Sequence, residues 1–223
     1  MQKKEKIILI GASDHCKYTM DIVEQEGKFD IYGIIDKKLE KGTFFEGYAV
    51  LGYMNELAEL IAKKIIIGGI VAIGDNYTRM MVSMEVESLA PGFQFVNAIH
   101  PSVIIGKKTQ IGTGCVMMAG VIINNHCIIG NHTFIATKAS LDHDSTIMNF
   151  SSMSPGVTTG GRVVIGKCSS IGIGASILHY KNVGDNSVIG GNALVNADIP
   201  DYCVAYGIPA KIIRTRKADD LYL

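Results

Sequence analysis

The stretch "IGKCSSIGIGASIL", residues 165–178, places Ile165, Ile171 and Ile177 six residues apart, with glycine after the first two. Extending the step in both directions reaches Ile105 and Val195. Of the sixteen positions visited, fifteen carry a large aliphatic side chain and Thr159 alone does not. Two residues before most of them stands something small, as at Cys115, Cys127, Ser145, Ser169 and Ala175. A period of six matches neither the 3.6 of an amphipathic helix nor the 2 of a half-buried strand. It is the hexapeptide pattern of a parallel β-helix, in which each hexad is one short strand and a turn, and three hexads close a triangular coil. The aliphatic residue points into the prism, the small residue fits beside it at the corner, and glycine or asparagine is expected in the turns. The unbroken register from 105 to 195 predicts about five coils of 18 residues, so residues 18 apart stack.

Upstream the grammar is different. "KIILIGAS" is a short apolar run ending in glycine, the form of a buried parallel strand entering a loop. "HCKYTMDIVEQEG" puts Tyr18, Ile22 and Val23 on one helical face and ends at Gly27, a C-cap residue. "DIYGIID" is a second strand closing at Asp36 and "MNELAELIAKK" a second helix. "KIIIGGIVAIGDN" is a third strand, followed by the helical "YTRMMVSMEVESLA" and the strand "FQFVNAIH". Alternating strand and helix predicts an α/β, Rossmann-like small parallel sheet over residues 1–98, ahead of a left-handed parallel β-helix with a C-terminal tail over 99–223.

The bulk properties narrow the function. Lys plus Arg and Asp plus Glu both number 21 in 223 residues, a balance that argues against a nucleic-acid footprint or a membrane-surface patch. The first apolar run, "IILI", is too short for a signal segment, and no later run reaches the ~18 residues of a membrane span. The five cysteines form no C-x-x-C and no disulfide-like grouping, which fits a reduced, cytoplasmic setting.

Several separated motifs occur together: "GASDHCKYTMDI" after the first strand, "GIID" closing the second, "GYAVLG", "AIGDNYTR", "IHPS", the hexapeptide block with "DHD" inside it, and "YGIPAKIIR" near the end. In this order they resemble the two-domain hexapeptide sugar acyltransferases that include UDP-4-amino-sugar N-acetyltransferases and sialic acid O-acetyltransferases of bacteria, over nearly the whole chain. The resemblance implies a homotrimer that transfers acetyl from acetyl-CoA, without a metal, to a nucleotide-linked amino sugar in surface-glycan synthesis, a UDP-4-amino-4,6-dideoxy sugar in the first instance. It gives His143 the place of the general base, Asp144 that of its orienting carboxylate, and Gly161, one coil on, that of the backbone donor facing the thioester carbonyl and a coenzyme contact. Ile173 and Gly191 match coenzyme contacts. Gly11, Ser13 and His15 match the loop that holds the nucleotide-sugar phosphates, where N–H groups at a helix start favour an anion. Asp36, at a strand's C-terminal end, is placed to bond the nucleoside, and Gly74, Asp75 and Asn76 form the loop after the third strand.

Three positions depart from that family. Asp14 stands in place of a loop glycine and brings negative charge toward the phosphate loop; Ser152 stands nine residues after the base in place of a histidine; Ala136 stands seven before it in place of an asparagine. They keep open two alternatives, O-acetylation of sialic acid or another sugar, and a non-catalytic nucleotide-sugar-binding trimer. His126 and His132 are one hexad apart and so on adjacent corners, not a metal pair within one chain. Cys115 and Cys127 occupy small-residue positions and are expected to pack, as are Met117 and Met153 on the inward register.

Overall fold

The computed structural model describes residues 4–221. The chain divides into two compact units, one formed by residues up to 74 with 78–101, the other by residues 75–77 with those from 102 onward.

The first unit is the α/β sheet. Its elements are β1 (Glu5–Ile10), α1 (Asp14–Glu26), β2 (Phe29–Ile35), β3 (Phe44–Phe45), β4 (Tyr48–Gly52), α2 (Glu56–Ala62), β5 (Gly68–Val71), α3 (Asn76–Leu89) and β6 (Gln94–Phe95). The strands lie in the order β3-β4-β2-β1-β5-β6, parallel apart from β3, which runs antiparallel to β4. The apolar run of β1 occupies the middle, which is why Ile7, Ile8 and Leu9 are fully buried; a central parallel strand is covered on both faces. Ile8, Ile10, Ile35, Val71, Leu57 and Val86 meet in one core. Helix α1 buries Cys16, Thr19, Met20 and Val23, and ends where Gly27 turns left-handed at φ 67° and its N–H reaches the Val23 carbonyl at 3.0 Å. The β3–β4 hairpin is absent from the sequence-based expectation. Its turn residues Glu46 and Gly47 both have positive φ, 47° and 84°, the geometry of a tight hairpin turn.

The second unit is the β-helix. Its two-residue strands stack in parallel, each against the strand 18 residues on. One face carries Val116–Met117, Phe134–Ile135, Ser152–Met153, Ser170–Ile171 and Val188–Ile189, and ends on a hairpin of Cys203–Tyr206 with Lys211–Thr215. A second runs from Ile104–Ile105 to Leu194–Val195 through Ser140–Leu141 and Thr158–Thr159. A third runs from Gln110–Ile111 to Asn182–Val183 through Thr146–Ile147. The inward ladder is as the period requires: Met117, Ile123, Ile135, Leu141, Met153, Ile165 and Ile171 are fully buried. The small-residue ladder lies inside the corners, where its polar atoms find carbonyls one coil on. Ser169 Oγ donates to Gly184 O at 2.6 Å and Ser187 Oγ to Pro200 O at 2.7 Å. Cys127 Sγ lies 3.2 Å from Asp142 O.

The turns correct one expectation. Every sixth residue from Lys108 to Asn192 is left-handed, with φ between 53° and 75°, yet only four of these fifteen positions are glycine and two asparagine. The others include His126, His132, Asp144, Phe150, Arg162 and Tyr180. The corner geometry is imposed by the coil, and the side chains there stack on one another from coil to coil.

Candidate functional site

In the first unit a cleft of about 450 Å³ opens at the C-terminal ends of β1, β2 and the strand β5, lined among others by Gly11, Ala12, Ser13, Asp36, Lys37 and Lys38. Gly11 is left-handed at φ 102°, and a Cβ there would lie 2.9 Å from Ile73 Cγ1, so the position is open to glycine alone. The Asp36 carboxylate builds the rim. Its Oδ2 accepts the Ala12 N–H at 2.9 Å, and its Oδ1 accepts those of Lys38 and Leu39 at 2.7 and 3.2 Å. It therefore ties the loop after β1 to the loop after β2 and curls Lys37 and Lys38 against the cleft. Those two lysines are cleft residues that sequence reading missed; the charge pair after "IID" is visible, but its curl depends on the carboxylate bonds. Thr78, Val82 and Glu85 of α3 complete the lining.

The remaining residues expected here lie elsewhere. His15 is buried and keeps its Nδ1 against the Tyr18 hydroxyl. Burial and then the nearby Arg79 charge push its pKa down to about 3, so it is neutral at pH 7 and offers no positive charge. The Gly74 carbonyl accepts Arg79 Nη1 at 2.8 Å. Asn76 is buried and donates from Nδ2 to Ser169 O at 3.0 Å, a bond inside the second unit. Asp75 is half-buried and does not line the cleft. Asp14 does not line the cleft: its side chain is 95% exposed and paired with Lys17 at 3.2 Å.

On the β-helix, His143 follows the inward Leu141 at a corner. Its Nδ1 lies 2.8 Å from Asp144 Oδ2. A carboxylate oxygen accepts only, so Nδ1 carries a proton in this bond, which in the neutral tautomer leaves Nε2 as the ring's acceptor. The Asp144 carboxyl is held below its usual range first by this bond, then by the charges of Arg162 and His126. Asp142 faces the other way: its Oδ1 accepts Asn124 Nδ2 at 2.6 Å and the His143 N–H at 2.8 Å, and both lower its pKa. Its own N–H goes to Thr159 Oγ1 at 3.0 Å. Thr159, the one break in the aliphatic register, thus anchors the residue before His143. The break is the sequence signal for a role that sequence reading left unassigned.

Gly161 packs under the imidazole. A Cβ on it would stand 2.6 Å from His143 Nε2. Its carbonyl accepts the Tyr180 N–H at 3.0 Å, while its own N–H meets no acceptor among the described residues. Gly161, with its N–H uncommitted, therefore packs against the Nε2 side of the ring. Ile173 and Gly191 stack on each other one coil apart, Asn192 N–H reaching Ile173 O at 2.7 Å, and Ile173 is 63% exposed. They lie at the corner after the first face, whereas His143 and Gly161 lie at the corner after the second. Ala136 and Ser152 are both buried, Ser152 bonding Ser170 Oγ at 3.2 Å. His132 is buried against Phe150, rings stacked at 4.9 Å, and His126 is exposed at the next corner back.

Comparison with known proteins meets this geometry at both ends of the chain. Residues 6–86 match the model of the PglD N-terminal domain, and residues 102–137 match six repeats of the bacterial transferase hexapeptide. The chain therefore carries a PglD-type N-terminal domain followed by bacterial transferase hexapeptide repeats. A solved structure of a histidine-to-asparagine variant of perosamine N-acetyltransferase from Caulobacter crescentus, in complex with CoA and GDP-perosamine, is 29% identical with a TM-score of 0.87, covering 96% of this chain and 98% of that one. The acetyltransferase domain of PglB from Neisseria gonorrhoeae, in complex with acetyl coenzyme A, is 28% identical at a TM-score of 0.85, covering 95% and 100%. GDP-perosamine N-acetyltransferase of Escherichia coli is 28% identical over 174 residues, 76% of each chain. The two solved chains thus match the protein over both units, and no described helix is long and apolar enough to cross a membrane.

Proposed function

We propose that the protein is an acetyl-CoA-dependent N-acetyltransferase acting on a nucleotide-linked amino sugar, with His143 as general base. The observation that carries this reading is that Gly161, whose N–H has no acceptor among the described residues, packs against the imidazole of His143 on its Nε2 side. An amine attacking a thioester must lose a proton and leave an oxyanion, and these two groups supply both needs. His143 Nε2 takes the proton as nitrogen bonds to the acetyl carbonyl carbon. The charge on the former carbonyl oxygen is met by the Gly161 N–H. Collapse breaks the carbon–sulfur bond, and the imidazolium, steadied by Asp144, returns the proton to the departing coenzyme thiolate. No acyl-enzyme is formed. The cleft of the first unit holds the nucleotide, with Lys37, Lys38 and the N–H groups at the start of α1 toward the phosphates.

Ile173 and Gly191, as coenzyme contacts, sit at a different corner from His143. A face of the prism separates the two groups in one chain, so a shared site requires the coenzyme corner of one copy beside the histidine corner of another. That supports assembly of more than one copy; with the resemblance, we infer a homotrimer working in the cytoplasm in the synthesis of a surface glycan. The test is thiol release from acetyl-CoA over UDP-, GDP-, dTDP- and CMP-linked sugars with amino or hydroxyl acceptors. UDP-4-amino-4,6-dideoxy sugars and GDP-perosamine are the first to try. Turnover with an amino sugar is the expected result. Turnover confined to hydroxyl acceptors, or binding without thiol release, would overturn it.

A further inference from the structure

Residues 126, 144, 162 and 180 form one ladder of left-handed corners, occupied by His126, Asp144, Arg162 and Tyr180. Arg162 Nη2 stands 3.6 Å from Asp144 Oδ2, the same oxygen that accepts His143 Nδ1–H at 2.8 Å. The guanidinium is steadied from the other side by the Tyr180 ring, 5.8 Å from its centroid. Its backbone N–H donates to the His143 carbonyl at 2.9 Å, so chain and side chain both register on the His143–Asp144 dipeptide.

We propose that Arg162 is a positioning residue that sets the basicity of His143 through their shared carboxylate. This rests on His143 being the base. A carboxylate on Nδ1 stabilises the imidazolium and so raises the pKa of the ring. An imidazolium held too firmly by such a carboxylate cannot accept a proton from an incoming amine. A cation on the same oxygen takes back part of that stabilisation, while the carboxylate still fixes the tautomer. The other charged or titratable groups facing the pair are Asp142, one residue before His143, and His126, one coil back from Asp144. Asp142 commits Oδ1 to Asn124 and the His143 N–H rather than to the ring. Cys127, beneath them, has its pKa raised by burial and stays a neutral thiol. Arg162 is then the permanent cation on the pair.

The test compares Arg162→Gln and Arg162→Lys with the parent enzyme. One readout is the acid limb of kcat/KM against pH; the other is the imidazole pKa of His143 read directly by NMR. Both midpoints should rise in Arg162→Gln by about half a pH unit, a surface-screened charge effect. On the acid limb this lowers the rate about threefold relative to the variant's own high-pH plateau. Lysine should restore most of the shift. Midpoints that stay in place in Arg162→Gln overturn the proposal, whatever the plateau does, because a merely structural role moves rate and not titration. The two readings also separate: a shifted imidazole pKa in a protein whose His143→Ala variant stays active keeps the coupling and rejects the base.

Discussion

At the scale of single residues, the corner works because glycine stands where the ring must pass. In Gly161→Ala the new Cβ meets His143 Nε2 at 2.6 Å, and the exposed ring is what moves. A displacement of about 1 Å from a productive position costs on the order of 10²-fold, so kcat/KM should fall by about that much while the melting temperature holds. Steady-state kinetics beside a thermal melt check both halves. His143→Ala should lose about 10²–10⁴-fold, the range of a general base. His15 makes a different prediction. Burial, then Arg79, depresses its folded pKa to about 3 from the ordinary 6.5 of a histidine. A histidine kept neutral in the fold favours the unfolded chain once that chain can take up a proton. Its stabilising contribution is therefore complete above pH 6.5 and is lost as pH falls from there toward 3. The slope approaches about 1 kcal/mol per pH unit. In His15→Gln the unfolding midpoint should depend less on pH between about 6.5 and 5, although the variant is less stable at neutrality. Denaturant melts across that window check the slope.

At the scale of elements, the left-handed corners carry a conformational cost that side chains repay unequally. An L-residue other than glycine or asparagine pays about 1 kcal/mol to sit there. Lys108 and Lys138 pay it while exposed to solvent. Replacing both with asparagine should stabilise the β-helix by about 0.5 kcal/mol each and raise Tm by a few degrees. Phe150→Asn should do the reverse, because it forfeits the stack on His132. Calorimetry on the three variants reads the two signs. The same corners mark the limit of what was legible in the sequence. The period of six is a consequence of burial: the inward aliphatics from Met117 onward repeat one environment, so the coil can be read off from its inward ladder, although Ile105 at the first rung is exposed. Corner conformation is set by the coil rather than by the residue, and it leaves no composition signal at Lys108 or Phe150. The β3–β4 hairpin was missed for a related reason. It lies at the sheet edge, and Phe44–Phe45 is too short to show a period. Of the site, the histidine and its glycine were readable through the 18-residue stack. Thr159 appeared only as an irregularity, since its bond to the Asp142 N–H is tertiary. Lys37 and Lys38 reach the cleft through three backbone bonds to Asp36, and no pattern of residue types specifies those.

At the scale of the whole molecule, the outer surface of the prism is as informative as its core. Ile104 is 60% exposed, Ile122 38% and Ile128 49%. Ile104 and Ile122 are successive rungs on the outside of the second face, and Ile128 is on the outside of the third. An outward aliphatic patch beginning one coil before the His143 corner, where Ile122 and Ile128 stack on Ser140 and Thr146, is what a surface meant for another copy presents, since a solitary prism gains nothing from leaving it in water. In the proposed homotrimer, three parallel prisms around one axis would bury such rows against each other and bring the Ile173 corner of one beside the His143 corner of the next. If that packing is what completes the site, assembly and activity must fail together. Ile122→Glu with Ile128→Glu places charges on exposed positions that a monomer tolerates and a buried interface does not. The double variant should run as a folded monomer in light scattering, with an unchanged far-UV spectrum. Its acetyl transfer should fall at least 10²-fold, while the first-unit cleft still binds the nucleotide sugar. A monomer that turns over at the parental rate would place coenzyme and base within one chain, and the two corners would then need another account.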